Sequence, residues 1–209
     1  MAQTALLSQT HATELSEDYI EIPAGKLASV VTFLEMRTPP ARPFPRNRLD
    51  LRLRKVRDAK PEWYRKLFRS IGDDWLWSSR LRLSDEELIS ILRHPAIELF
   101  ALEYQGRDGG LLELDRTRPP DVEISFVGLT PDLIGKGAGL FLLSQGLEIA
   151  WSYRPARVTL HTCTMDHPNA LSFYLNAGFV PYKRAVRITN DPRLTGILPR
   201  TAAPQIPII

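Results

Sequence analysis

The 209-residue sequence contains a single cysteine, Cys163. One thiol excludes an internal disulfide framework and fits a reducing cytosol, so a cytoplasmic location is expected. No apolar run approaches the roughly 18–20 residues that a membrane span needs. The opening Met-Ala-Gln-Thr-Ala-Leu-Leu-Ser lacks the basic flank and apolar stretch of a secretory signal, so neither a membrane partner nor export is expected. A zinc site is also missing its parts. His161, Cys163 and His167 offer donors, but no Cys-x-x-Cys or second ligand pair completes a tetrahedron. We therefore expect structural placement for these side chains and no metal, with His167 capping a helix. Charge of one sign is scarce too: 27 Lys and Arg against 24 Asp and Glu leave a net +3.

What is present is an ordinary globular composition, 44% hydrophobic and 24% charged, in a chain long enough for one well-buried domain. Basic residues gather between Arg42 and Arg57. There Leu49, Leu51 and Leu53 alternate with Asp50, Arg52 and Arg54, the pattern of a strand with one wet face, and no aromatics are interleaved for base stacking. Nucleic acid is thus not an expected partner. Lys26 to Met36 is rich in β-formers and is expected to add a strand ahead of the main domain, followed by a Pro-rich linker from Thr38 to Pro45. The first 18 residues are polar and aperiodic. The segment from 191 carries Pro192, Pro199, Pro204 and Pro207 without an element-length pattern, so both are expected to be poorly ordered or draped over the surface. The division is an extension over 1–45, a domain over 46–190 and a tail over 191–209.

From Leu49 the elements read strand, helix, helix, strand, strand, strand, helix, strand, helix, strand. A helix over about 59–71 gathers Trp63, Tyr64, Leu67, Phe68 and Ile71 on one face. Ser84 with Glu87 forms a capping box that opens a second helix, running to about His94 before Pro95 stops it. Strands are expected at about 97–104, 110–116 and 121–129, with Gln105 to Gly109 as a turn.

The stretch from Glu123 to Gly139, followed by the helical run Leu140 to Trp151, describes a strand, a glycine-rich turn and a helix start. Gly135, Gly137 and Gly139 leave backbone N–H groups uncovered at a helix N-terminus, which suits an anionic phosphate. Two phosphate-binding motifs fail on residues. A P-loop needs Ser or Thr after Gly-Lys, whereas Lys136 is followed by Gly137; a dinucleotide fingerprint counted from Gly135 needs glycine where Leu140 stands.

Ile134-Gly-Lys-Gly-Ala-Gly139 resembles the pyrophosphate loop of the GNAT (GCN5-related) N-acetyltransferases, Gln/Arg-x-x-Gly-x-Gly/Ala, in every position but the first, where Ile134 replaces Gln or Arg. Val158 to Phe179 resembles the second signature of that family, a strand and then a helix ending in Gly-Phe. Pro168 suits the first helical position and Gly178 the position after the C-cap. The resemblance covers roughly residues 50–190. It implies an α/β acyl-CoA N-acyltransferase fold with a mixed, strongly twisted sheet and helices on both faces. It further implies acetyl-CoA as co-substrate, held by Val127, Gly128 and Leu129, by the loop Ile134, Gly135, Lys136, Gly137, Ala138, Gly139 and Leu140, and by Asn169 and Tyr174.

Acetyl transfer to an amine needs a neutral nucleophile, so a base is expected. Glu123 lies four residues before Val127, and strand alternation places both on one face. Its setting resembles the strand carrying the catalytic Glu in histone-type members, and Glu123 is the expected base, with Glu113 and Asp115 in reserve. The resemblance places Tyr174 beside the thioester sulfur, where its hydroxyl donates to the leaving thiolate. Direct transfer in a ternary complex is implied; Cys163 has no evident activation for a carrier role. The acceptor is expected at the loop from Ile71 to Arg82, with Trp75, Trp77 and Arg80 as binding residues. The sequence leaves open a small amine or a protein amine, a homodimer, and the alternative of a non-catalytic acyl-CoA-binding sensor.

Overall fold

A computed structural model describes residues 19–40 and 49–209. The expectations for residues 1–18 and 41–48 lie outside the described residues. In chain order the elements are β1 (Lys26–Met36), β2 (Leu51–Val56), α1 (Pro61–Gly72), α2 (Asp85–Leu92), β3 (Ile97–Tyr104), β4 (Arg107–Asp115), β5 (Asp121–Leu129), α3 (Ala138–Ser152), β6 (Arg157–Cys163), α4 (Ala170–Asn176) and β7 (Val180–Asn190). The strands form one mixed sheet in the order β2-β3-β4-β5-β6-β1-β7. Only β5 and β6 run parallel among these pairs.

Local chemistry accounts for the boundaries. Pro61 opens α1, where its missing N–H costs nothing, and Tyr64, Leu67, Phe68 and Ile71 recur at helical spacing on the buried face. The Ser84 hydroxyl accepts from the Glu87 N–H while the Glu87 carboxylate accepts from the Ser84 N–H, so α2 begins on the expected capping box. The β3–β4 turn is shorter than its composition implies. Gln105 and Gly106 both adopt positive φ (49° and 76°), the requirement of a two-residue hairpin, and this frees Arg107 and Asp108 to pair.

Helices cover both faces. On one, α3 and α4 bury Leu142, Leu147 and Tyr174 against Leu112, Leu114 and Val158. On the other, α1 and α2 bury Tyr64, Phe68 and Leu88 against Leu99 and Leu111. Gly146 permits the close seat of α3, because a Cβ there would lie 3.0 Å from Leu112 Cδ1.

Three expectations about the fold are corrected. The strand at 26–36 forms with the predicted bounds, yet β1 is no appendage: it lies inside the sheet between β6 and β7, antiparallel to both, with Leu34 fully buried. The segment from 191 is not poorly ordered: without helix or strand, it is packed in place. Leu198, Ala202 and Ala203 pack with Leu27 and Leu76, and the Arg193 guanidinium, 1% exposed, pairs with Asp191 while donating to the carbonyls of Ala202, Ala203 and Ile206. Finally, α4 starts at Ala170 with Asn169 as N-cap, so Pro168 precedes the helix instead of occupying its first turn.

Candidate functional site

A cleft of about 1050 Å³ opens where β5 leaves β6. The parallel pairing spans only Asp121–Glu123 against Arg157–Thr159. Beyond Glu123 the β6 side of β5 has no strand partner among the described residues, and Val127, Gly128 and Leu129 line the opening. One wall is the turn before α3. Gly135 and Gly137 hold φ of 77° and 78°, and a Cβ at Gly135 would meet no atom within 4 Å. Gly137 caps α3 without a side-chain acceptor, and no acidic residue stands in the first turn. The first N–H groups of α3 therefore lack intrahelical acceptors and face an electropositive opening. Ile134, Gly139 and Leu140 line the same wall. Lys136 stands exposed at the turn, whereas Ala138 buries its methyl in the core and offers only its backbone.

The opposite wall is α4 and the turn before it. Asn169 reaches the cleft with its side chain free of capping duty, because the His167 Nδ1 accepts the Asn169 N–H at 3.1 Å and the His167 carbonyl accepts the Ala170 N–H at 2.8 Å. His167 is therefore not the cap expected of it: Asn169 is the N-cap, without a side-chain capping bond, and His167 braces the turn before α4. Tyr174 is 9% exposed, and its hydroxyl has no hydrogen-bond partner among the described residues. Burial pushes its pKa well above the ordinary tyrosine value, and the Asp166 carboxylate adds to this, so the phenol stays protonated and able to donate. Cys163 borders the cleft with its thiol pKa raised by burial and by Asp166, which disfavours a nucleophilic thiolate.

A bulge corrects the alternation expected of β5. Glu113 faces Phe126 and Leu114 faces Ile124, so Ser125 is an extra residue and the side-chain phase flips across it. Ile124 and Val127 pack on the α3 side, Phe126 on the α1 side. Glu123 and Val127 consequently point to opposite faces. Glu123 shares its face with Asp115, directly across β4, and its Oε1 lies 3.5 Å from His161 Nδ1. The reserve Glu113 is fully buried, accepting 2.8 Å from the Tyr64 hydroxyl and ion-paired to Arg80, so it is not available to a substrate.

The loop after α1 roofs this face. Trp75 packs edge-on to His167, with ring centroids 5.1 Å apart. Trp77 lies over Gly128, where a Cβ would sit 2.9 Å from its ring and 2.5 Å from Ile71 Cγ2; this close approach, rather than a bulge, is why residue 128 is glycine. Arg80 borders the cleft but is committed to Glu113, with its guanidinium 5.2 Å from the Phe126 ring centroid. Sequence reasoning missed the rest of the chamber: Asp166, which accepts from Trp77 Nε1, and Leu27, Ser29 and Val31 of β1 with Arg187 and Thr189 of β7. Asp166 and His161 lie within the segment that carried the second signature. Nothing local signals the β1 and β7 residues, whose placement depends on β1 entering the sheet.

No family profile and no curated protein sequence matches the chain. Solved structures do. A GCN5-related N-acetyltransferase from Sphaerobacter thermophilus aligns with TM-score 0.59 and 15% identity over 78% of this chain and 51% of its own. The fold is that of the GNAT acetyltransferases.

A Trypanosoma brucei acetyltransferase, 26% identical, shares this GNAT fold over 66% of the present chain and 98% of its own (TM-score 0.50). A GNAT family acetyltransferase from Elizabethkingia anophelis with acetyl-CoA bound aligns at 17% identity over 64% and 78% (TM-score 0.50). The present chain spans about half the length of the Sphaerobacter protein. Among the described residues no helix is long and apolar enough to cross a membrane, and Arg54 of β2 is neutralised by Glu103 at 2.5 Å and Asp108 at 2.9 Å.

Proposed function

We propose that this protein transfers an acetyl group from acetyl-CoA to a primary amine by direct attack in a ternary complex. The observation that carries the reading is the opening of β5 from β6 beyond Glu123, beside an uncapped glycine turn at the head of a 15-residue helix. The turn fits a pyrophosphate: free N–H groups converge there, Gly135 leaves space for close approach, and no carboxylate competes. Acetyl-CoA would be held by the backbone from Ile134 to Leu140, by the open edge of β5 at Val127 to Leu129, and by Asn169. It supplies an activated acyl group at the neck of the cleft.

The chain's own groups then divide the proton work. Deprotonating a Lys-like ammonium at pH 7 costs roughly 4–5 kcal/mol, from a pKa near 10.4 at about 1.36 kcal/mol per unit. Glu123 takes that proton, lying on the acceptor face of β5 and 31% exposed at its side chain. Tyr174, buried and protonated, donates toward the departing sulfur from the other side of the neck. The bulge at Ser125 serves this division, since it sends Glu123 toward the acceptor chamber while Val127 faces α3. Trp75 and Trp77 wall that chamber; Arg80 holds its frame through Glu113.

The test is thiol release from acetyl-CoA in the presence of a panel of alkylamines, arylalkylamines, amino acids and lysine peptides. Release that requires both an amine and Glu123, and yields the N-acetyl product by mass spectrometry, supports the reading. Tight acetyl-CoA binding with no product from any amine contradicts it and leaves a sensor role.

A further inference from the structure

Glu123 needs somewhere to send the proton it takes, and the acceptor face supplies a neighbour. His161 stands on β6, in the same cleft, with Nδ1 3.5 Å from Glu123 Oε1 and its side chain 41% exposed. The Phe33 ring, on the adjoining β1, packs against the imidazole at 5.7 Å between centroids, and Phe33 is the direct register partner of His161. The imidazole is thus seated between a half-buried carboxylate and water, with one ring face supported.

We propose that His161 relays protons between Glu123 and solvent in the transfer reaction, an inference that rests on the acetyltransferase reading. The acceptor enters as an ammonium and must lose two protons. The first passes from nitrogen to Glu123, then to His161 Nδ1, while the Nε2 side returns a proton to water. The second leaves as the C–S bond breaks and ends on the thiolate through Tyr174. The products are the amide, the free thiol and one proton in solution, which balances the reaction.

Other charges face the imidazole. Asp121 and Glu123 on β5, Arg157 and Cys163 on β6, Glu35 on β1, and Lys183 and Arg187 on β7 share its face by register. Arg157 is held by Glu35 at 2.7 Å and by Asp121 at 2.8 Å, and Lys183 lies 5.2 Å from the Phe33 ring centroid. Glu123 is the carboxylate within ion-pair range of His161. The relay works when His161 is neutral and ready to accept, so the rate climbs with pH as the imidazole loses its charge.

The experiment pairs spectroscopy with kinetics. The four histidines are followed by NMR, His161 being assigned with His161→Gln. In Glu123→Gln the ring 15N shifts of His161 should change, because the carboxylate beside Nδ1 has been replaced by an amide. With whichever amine of the panel turns over fastest, His161→Gln should lower kcat/KM about 10- to 100-fold and lose the rising limb of the pH profile. Acetyl-CoA affinity should stay within about twofold, and added imidazole should restore part of the rate in His161→Ala. Unchanged His161 ring shifts in Glu123→Gln overturn the relay whether or not any amine is accepted. Unchanged kinetics in His161→Gln beside an impaired Glu123→Gln overturns the relay and leaves the base standing. Loss of acetyl-CoA binding and thermal stability together with rate would make His161 a structural residue. If both variants keep full activity, the assignment of the base itself fails.

Discussion

Trp77 Nε1 donates a 3.1 Å hydrogen bond to Asp166 Oδ1, joining the roof of the cleft to the turn between β6 and α4. The other Asp166 oxygen accepts from the Thr162 hydroxyl and the Cys163 N–H, both at 2.8 Å. One carboxylate therefore sets the position of the tryptophan over Gly128 and the shape of the turn carrying Asn169. Asp166→Ala strands three donors, at a cost of about 1–3 kcal/mol. The acceptor KM should rise more than the acetyl-CoA Kd, since Trp77 belongs to the roof. Equal effects on both constants would show that the bond does not separate the two halves of the cleft.

Gly128→Ala tests the packing beneath the same tryptophan. A Cβ 2.5 Å from Ile71 Cγ2 and 2.9 Å from Trp77 forces one of them to move, which costs about 1–3 kcal/mol. Thermal denaturation should show a drop of several degrees, and near-ultraviolet circular dichroism should report a displaced indole. An unchanged melting temperature would mean that the roof yields freely.

Alkaline stability follows from two buried phenols. Tyr64 and Tyr174 both have pKa values raised by burial above the ordinary value of 10.0. Above about pH 10 the unfolded chain loses these protons while the folded chain keeps them, so the unfolded state gains. Their contribution is complete below that pH and is lost as pH climbs toward the folded values. Urea midpoints of wild type should therefore fall across this range. Tyr174→Phe should flatten the slope; an identical slope would place the hydroxyl in contact with water.

The buried Arg193–Asp191 pair fastens the last residues over Leu27 and Leu76. Arg193→Ala leaves Asp191 charged and buried with the backbone N–H of residue 193 but without its guanidinium, which costs about 3–5 kcal/mol. Arg193 also holds the Asp191 pKa below its ordinary 3.8, so the pair's contribution is present above that pH and fades as acid lowers pH through the folded value. Limited proteolysis of Arg193→Ala should cut after residue 191 well before the wild type is cut. Equal resistance would show that apolar packing alone holds the segment.

Much of this architecture was legible locally. The bounds of β1, β3 and β5, the Ser84 cap and the glycine turn each follow from a handful of adjacent residues. The failures share a non-local cause. Lys26 to Met36 declares a strand but not its neighbours, and entry between β6 and β7 is decided by pairings more than 120 residues away. The Ser125 bulge is invisible in a run of strand-forming residues, yet it reverses the face of everything beyond it. Proline content made the last segment look loose, when Leu198, Ala202 and Arg193 are fixed by partners that the sequence does not point to. Of the residues proposed for the site, the glycines and Tyr174 are singled out by motif, and Glu123 by its setting. Asp166 and His161 acquire meaning only once the roof and β5 are folded against them.

The central claim, that the head of α3 binds the pyrophosphate of acetyl-CoA, is tested most directly by calorimetric titration of wild type and Gly139→Asp. Gly139 lies in the first turn of α3, and a Cβ there meets Leu129 and Phe173 at an ordinary 3.7 Å, so the variant should fold. An aspartate in that turn favours the helix dipole while repelling an anion. The account predicts micromolar binding to wild type, weakened at least ~10-fold in the variant with the melting temperature preserved. Absence of binding to wild type, or equal affinity in the two proteins, would contradict it.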